Sequence, residues 1–316
     1  MDCQWQNENA LSNIIHDTSM KKLTTFIIRS VMAFCAYYQC SAADTVLTVG
    51  KHNIFVIDTG KGHPLIALHG GPGDNSANFT PQLLSLSATN RLILYDQSGA
   101  GKSTSAALIQ SSMTNEVQVL HDLLQRLGIQ KANLLGHSWG SILAMQFAAT
   151  YPEMVNKIVL TASIGTKASY YTTFAQRLQS KFTPLDIAAM QILQRQGVTN
   201  PQEYLNIYIK YYFHDTLNIK KMTPTTINFT VNQQIIADMM KNYDVTKNKH
   251  TIRCPILILQ GKADLLTVKD MHEAFAGFPN VEIQEMSASG HWAFVEEEQL
   301  FTQYVGEFLQ KKEIKK

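Results

Sequence analysis

Leu134 to Ser141 reads LLGHSWGS, and its centre, Gly136-His137-Ser138-Trp139-Gly140, is a G-x-S-x-G pattern. The apolar run before it reads as a strand and the small, apolar residues after it as a helix, which is the setting of a nucleophile elbow. Glycines flank the serine because a sharp strand-to-helix turn leaves little room for side chains and holds the central residue in strained geometry. A bare turn with an N-capping serine is the plain alternative. A serine hydroxyl is a weak nucleophile near neutral pH; it needs a base to take its proton and a third group to orient that base. In this type of turn the acid and then the histidine lie downstream. Asp264 follows the run ILILQ through Gly261-Lys262-Ala263, and His291 lies within SGHW after a later run. Both are expected in loops at strand ends, where distant sequence positions meet. Asp270, the rival acid, falls within a predicted helix and reads as a solvated face.

His69-Gly70-Gly71-Pro72-Gly73 follows another apolar run that ends at Leu68. Adjacent glycines leave backbone N–H groups unobstructed and Pro72 stiffens the loop, so the stretch suits one half of an oxyanion hole. The expected donors are the amides of Gly71 and Trp139. The remaining histidines, His16, His52, His63, His121, His137, His214, His250 and His272, fall upstream, in turns, on helix faces, beside the serine or near the segment between two core strands. None is placed as well as His291 to act as base.

Asp96 to Ser103, DQSGAGKS, follows LILY and resembles a phosphate cradle at first sight. That pattern requires a glycine where Asp96 stands. A carboxylate there repels a triphosphate and lacks glycine's freedom at positive φ, so no nucleotide is expected. No H-E-x-x-H pattern or clustered Cys/His spacing occurs, and no metal or other cofactor is expected.

The chain has 316 residues, 45% hydrophobic and 16% charged, which suits a globular enzyme with a large core. A formal net charge of +2 is too near neutral for nucleic-acid binding. Met20-Lys21-Lys22 followed by LTTFIIRSVMAFCAYYQCSAAD has the pattern of a secretory signal, with cleavage expected near Ala42 or Ala43 and Met20 as a candidate start. Residues 1–42 are accordingly read as a leader and the protein as periplasmic or secreted. Cys3, Cys35 and Cys40 lie within or before it, which leaves Cys254 in the mature chain, read as a buried small residue rather than a nucleophile.

The elements that must position these residues can be traced. Thr45 to Val49 and Asn53 to Ile57 read as a hairpin at a sheet edge. Leu65 to Leu68, Leu92 to Tyr95, Ala132 to Leu135, Ile158 to Ala162, Ile256 to Gln260 and Val281 to Met286 read as strands buried on both faces. Helices are predicted over Asn115 to Leu127, Ser138 to Tyr151, Val268 to Phe278 and Gln299 to Lys311. The alternation argues for an α/β fold with a mostly parallel sheet, whose ligands bind at the carboxyl ends of the strands. Residues 165–250 break the rhythm: helical stretches rich in tyrosine and phenylalanine read as a cap inserted between core segments 43–164 and 251–316.

HGGPGD, YDQSGAGKS, GHSWGS, GKAD and SGHW together resemble the α/β-hydrolase family of proline iminopeptidases, over nearly all of the chain after about Asp44. The resemblance implies an α/β-hydrolase fold, release of an N-terminal residue from short peptides, and a DQSGAGKS loop that braces the site, with Asp96 bonded to local backbone. The family pattern has arginine where this chain has Ser98. Aminopeptidases of the family hold the substrate ammonium with glutamates, one after the catalytic acid and one ahead of the last cap helix; Leu265 and Gln233 stand at those places. Gly70, Gln233 and Glu203 are the positions expected to touch substrate, with Asp215, Asp238 and Asp244 as further acids in the segment. The missing carboxylates leave open an esterase or lactonase acting on small uncharged acyl groups, and a non-catalytic ligand receptor on the same fold.

Overall fold

The structure is a computed structural model that describes residues 43–105, 110–224 and 226–311; the expected leader lies outside them. The strands are β1 (Ala43–Val49), β2 (His52–Thr59), β3 (His63–Leu68), β4 (Asn90–Tyr95), β5 (Thr104–Ser105), β6 (Ala132–His137), β7 (Val155–Thr161), β8 (Ile256–Gly261) and β9 (Val281–Met286). The main helices are α1 (Met113–Arg126), α2 (Trp139–Thr150), α3 (Ala168–Ser180), α4 (Pro184–Arg195), α5 (Pro201–Tyr208), α6 (Phe229–Asn242), α7 (Val268–Ala274) and α8 (Glu298–Gln310).

The strands form one sheet in the order β1-β2-β4-β3-β6-β7-β8-β9, with β5 paired to β2. Pairings from β4 through β9 are parallel, while β1, β4 and β5 meet β2 antiparallel. This is the expected mostly parallel α/β sheet with an antiparallel edge.

Alternation along each strand divides the core in two. Ile66, Leu68, Ile93, Leu134, Ile158, Leu160 and Ile258 pack on one face with Leu120, Leu123 and Leu124 of α1 and Ile142 of α2. Leu65, Leu92, Leu94, Leu135, Val159, Leu257 and Leu259 pack on the other with Phe301, Val305 and Phe308 of α8. Full burial of such a side chain stabilises by roughly 1.5–3 kcal/mol, so both faces must be covered. Helix α2 lies against β3, β6, β7 and α1, which is why it is small and apolar nearly all round. That seat fixes the first turn of α2, and with it Ser138.

The segment between β7 and β8 carries α3 to α6. Its neck is closed by Ala168 N–H to Tyr243 O at 3.0 Å and Val245 N–H to Thr166 O at 2.9 Å, with a bridge between Lys167 and Asp244. The aromatic residues that mark this segment form a ring cluster: Phe174 stacks on Tyr212 with centroids 5.8 Å apart and on Tyr171 at 6.3 Å.

Candidate active site

Ser138 sits between β6 and α2 at φ 53°, ψ −117°. A non-glycine residue here is strained, and the surroundings enforce the strain. A Cβ on Gly140 would come within 2.0 Å of the Leu68 carbonyl oxygen, and one on Gly136 within 2.3 Å of the Gly140 carbonyl oxygen. The turn is locked by Ser138 N–H to Thr161 O at 3.1 Å and by Ser141 Oγ–H to Ser138 O at 2.6 Å. Ser138 is half-buried whereas His137, Trp139 and Gly140 are buried, so the hydroxyl-bearing residue is the accessible one.

Asp264 and His291 meet directly. His291 Nδ1 lies 3.0 and 3.2 Å from the two Asp264 carboxylate oxygens, and both side chains are almost wholly buried. Asp264 also accepts from Gln260 Nε2 at 2.9 Å and from the Leu265 amide at 2.6 Å. Three donors fix the carboxylate, and the carboxylate fixes the imidazole with Nδ1–H toward it, leaving Nε2 as the basic nitrogen. The backbone of His291 is held from the insertion: its N–H donates to Tyr212 O at 2.7 Å.

Ser138 is tied to this pair through its neighbour. His137 Nε2–H donates to the His291 carbonyl oxygen at 3.0 Å, and the two imidazoles meet edge to face with centroids 5.0 Å apart. Burial, and then the nearby charge of His291, push the His137 imidazole well below its ordinary pKa, so it stays neutral.

His69 Nδ1–H donates to Gly70 O at 2.9 Å, and its Nε2 accepts from the Gln97 amide at 3.1 Å. Gln97 Nε2 returns to His69 O at 3.0 Å, while its side-chain oxygen accepts from the Trp139 indole at 2.7 Å. One glutamine therefore ties together the loop carrying Gly70 and Gly71, the DQSGAGKS loop and the residue after Ser138. Gly71 is half-buried like Ser138.

The DQSGAGKS stretch is the structural brace expected of it. Asp96 accepts from the Ser76 amide at 2.8 Å, the Ser76 hydroxyl at 2.7 Å and the Lys102 amide at 2.8 Å. Its carboxylate thus supplies the centre of a turn rather than facing a phosphate. Where the resembled family has arginine, the Ser98 hydroxyl and amide donate to Glu116 of α1. Burial raises the Glu116 carboxyl to about 7, against the opposing pull of those two bonds.

The readings of Asp270 and Cys254 are corrected, and Gln233 and Glu203 are placed on exposed helix faces. Gln233 is exposed on α6, because the buried residues Val231, Ile235 and Met239 set the inward face and Gln233 falls half a turn away. Glu203 is likewise exposed, in the first turn of α5. Asp270 is not a solvated face: it closes a capping box with Thr267 and pairs with Arg177 Nη1 at 2.5 Å. Cys254, expected to be buried, is half-buried. The residues that sequence reasoning missed are Gln97, Tyr212, Arg177, Asn228 and Asn232, which hold the strand-end loops by polar contacts between distant segments. Among the described residues no group of three or more His, Cys, Asp or Glu is arranged to hold a metal, and no helix is long and apolar enough to cross a membrane.

A family model described as alpha/beta hydrolase fold matches residues 63–298. A 2-hydroxy-6-oxononadienedioate/2-hydroxy-6-oxononatrienedioate hydrolase of Paraburkholderia phymatum is 30% identical over 269 residues, covering 80% of this chain and 89% of that one. A proline iminopeptidase of Clostridium botulinum is 27% identical, covering 80% and 92%. The crystal structure of a Mycobacterium smegmatis proline iminopeptidase superposes with a TM-score of 0.66 at 22% identity, over 84% of this chain and 97% of the other. The strained elbow, the parallel sheet and these matches agree: the chain belongs to the alpha/beta hydrolase fold family.

Proposed function

We propose that the protein is a serine hydrolase that cleaves amide or ester bonds of small substrates through an acyl-enzyme, with Ser138 as nucleophile, His291 as base and Asp264 as orienting acid. The observation that carries the reading is Ser138 at φ 53° on a buried elbow, whose preceding residue, His137, bonds the backbone of an imidazole already oriented by a carboxylate. His291 Nε2 takes the Ser138 proton as the oxygen attacks the substrate carbonyl. The amides of Gly71 and Trp139 stabilise the developing oxyanion. His291 then protonates the leaving group and activates the water that releases the acyl group.

The surroundings of His291 favour an uncharged acyl group. Phe174 and Tyr212 lie 5.3 and 5.1 Å from its ring centroid, and Leu265, where the resembled aminopeptidases carry a glutamate, is buried. Burial raises the phenols of Tyr171, Tyr208 and Tyr212, which keeps them neutral. The iminopeptidase reading is supported by the relatives of that name and by the shared motifs.

A substrate panel separates the two: free-amine prolyl amides, their N-acylated forms, short acyl esters, and a dienoic dicarboxylate of the kind named for the Paraburkholderia relative. Hydrolysis that is indifferent to the free amine supports the esterase reading. A strict requirement for it supports the iminopeptidase, and turnover of the dicarboxylate alone rejects both. Export is part of the proposal: the mature N-terminus should fall near residue 43, and an intact leader on secreted protein contradicts it.

A further inference from the structure

Helix α6 begins against the loop that holds Gly71, and the contact is made by one backbone bond and by asparagine side chains. The Asn228 amide donates to Gly73 O at 2.8 Å, and Asn228 Nδ2 donates to Gly99 O at 2.9 Å. One turn later Asn232 Nδ2 donates to Pro72 O at 2.9 Å. Gly73, at φ +80°, admits this approach, because a Cβ there would lie 2.4 Å from the Asn228 carbonyl oxygen. Asp74 N–H closes the loop on Gly71 O at 2.8 Å. The loop is thus held on its core side by His69 and Gln97 and on its other side by two asparagines of the insertion.

We infer that Asn232, supported by Asn228, is a positioning residue that sets the Gly71 amide for the oxyanion. Asn232 is half-buried and grips the carbonyl of the residue next to Gly71. Releasing that carbonyl lets Pro72 and Gly73 shift, and the amide of Gly71 turns with them. An oxyanion donor acts mainly in the transition state, so its misplacement lowers kcat far more than it raises KM. The insertion therefore completes the catalytic apparatus as well as packing against it. This rests on the serine-hydrolase reading, with Gly71 as a donor.

The test uses the full-length protein carrying Asn232→Asp or Asn232→Ala. Asn232→Asp keeps the shape of the side chain while placing an acceptor opposite the Pro72 carbonyl. Rates on a short acyl ester are expressed per Ser138 titrated with a fluorophosphonate, so unfolded protein does not count. The expected result is a fall in kcat of about tenfold to a hundredfold, KM within about twofold, and a matching loss of affinity for an alkyl boronic acid, which forms a tetrahedral adduct. Wild-type kcat per titrated site, or equal losses in KM and kcat with unchanged boronate affinity, overturns the inference. Activity surviving in Ser138→Ala instead overturns the reading on which it rests.

Discussion

His291 Nδ1 lies 3.0 Å from one Asp264 oxygen and 3.2 Å from the other, in a pocket where the carboxylate is fixed by Gln260 and by the Leu265 amide. Such a carboxylate selects one imidazole tautomer and stabilises the imidazolium once it forms. Asp264→Asn should therefore lower kcat by about 10⁴-fold with little change in KM, because the geometry survives but the tautomer does not. Steady-state rates on the best substrate of the panel check this; a loss below tenfold assigns the orienting role elsewhere.

Glu116 gives the stability a pH dependence of definite sign. Its folded carboxyl titrates near 7 because burial disfavours the charge, against an ordinary value of 4.5. Folded protein therefore holds the proton more tightly than unfolded protein, and stability falls as pH rises from about 4.5 to about 7. The span corresponds to about 3 kcal/mol. Glu116→Gln should remove this part of the slope and raise the melting temperature at pH 8 relative to wild type, as calorimetry at pH 5 and 8 can show. An unchanged slope sinks the assignment.

Arg177 joins α3 to the loop of the proposed acid: it donates to Leu265 O at 2.8 Å and pairs with Asp270. Burial raises the Asp270 carboxyl, but its bonds to Arg177 and Thr267 outweigh that and hold it at about 2. The group thus adds stability above its ordinary value, lost as pH falls from about 4 toward 2. The arginine side chain is 41% exposed, so Arg177→Ala should cost only about 1 kcal/mol in urea unfolding at neutral pH. A much larger loss would mean that the bond to Leu265 O dominates.

Gly140→Ala places a Cβ against the Leu68 carbonyl, at a distance that no side-chain adjustment relieves. Backbone must move, so a loss of about 1–3 kcal/mol or more is expected, together with loss of Ser138 reactivity. Circular dichroism melts and labelling rates report the two effects; a variant as stable and reactive as wild type refutes the packing argument.

Much of this site was legible in the residue order. The strands announced themselves as apolar runs because a sheet covered on both faces has no polar side, and the G-x-S-x-G turn carried its own steric reason. Asp264 and His291 could be paired because both follow runs whose carboxyl ends share one edge of the sheet. The two-residue strand β5 left no periodic signal. Gln233 is a different case: the resemblance supplied the position, and the buried repeat of Val231, Ile235 and Met239 sets it on the exposed face of its helix. Asn232 and Arg177 were invisible because each bonds a backbone carbonyl far away in sequence, and a carbonyl leaves no trace in residue identity. Glu116 was hidden because its contact with Ser98 joins a helix to a distant loop, and only the packed structure brings the two together.

The most direct measurement is covalent. The intact protein is treated with a fluorophosphonate and the modified peptide is located by mass spectrometry. A single adduct on Ser138, absent from Ser138→Ala and formed far more slowly in His291→Ala, is the expected result. An adduct on another residue, or labelling that persists in Ser138→Ala, contradicts the account.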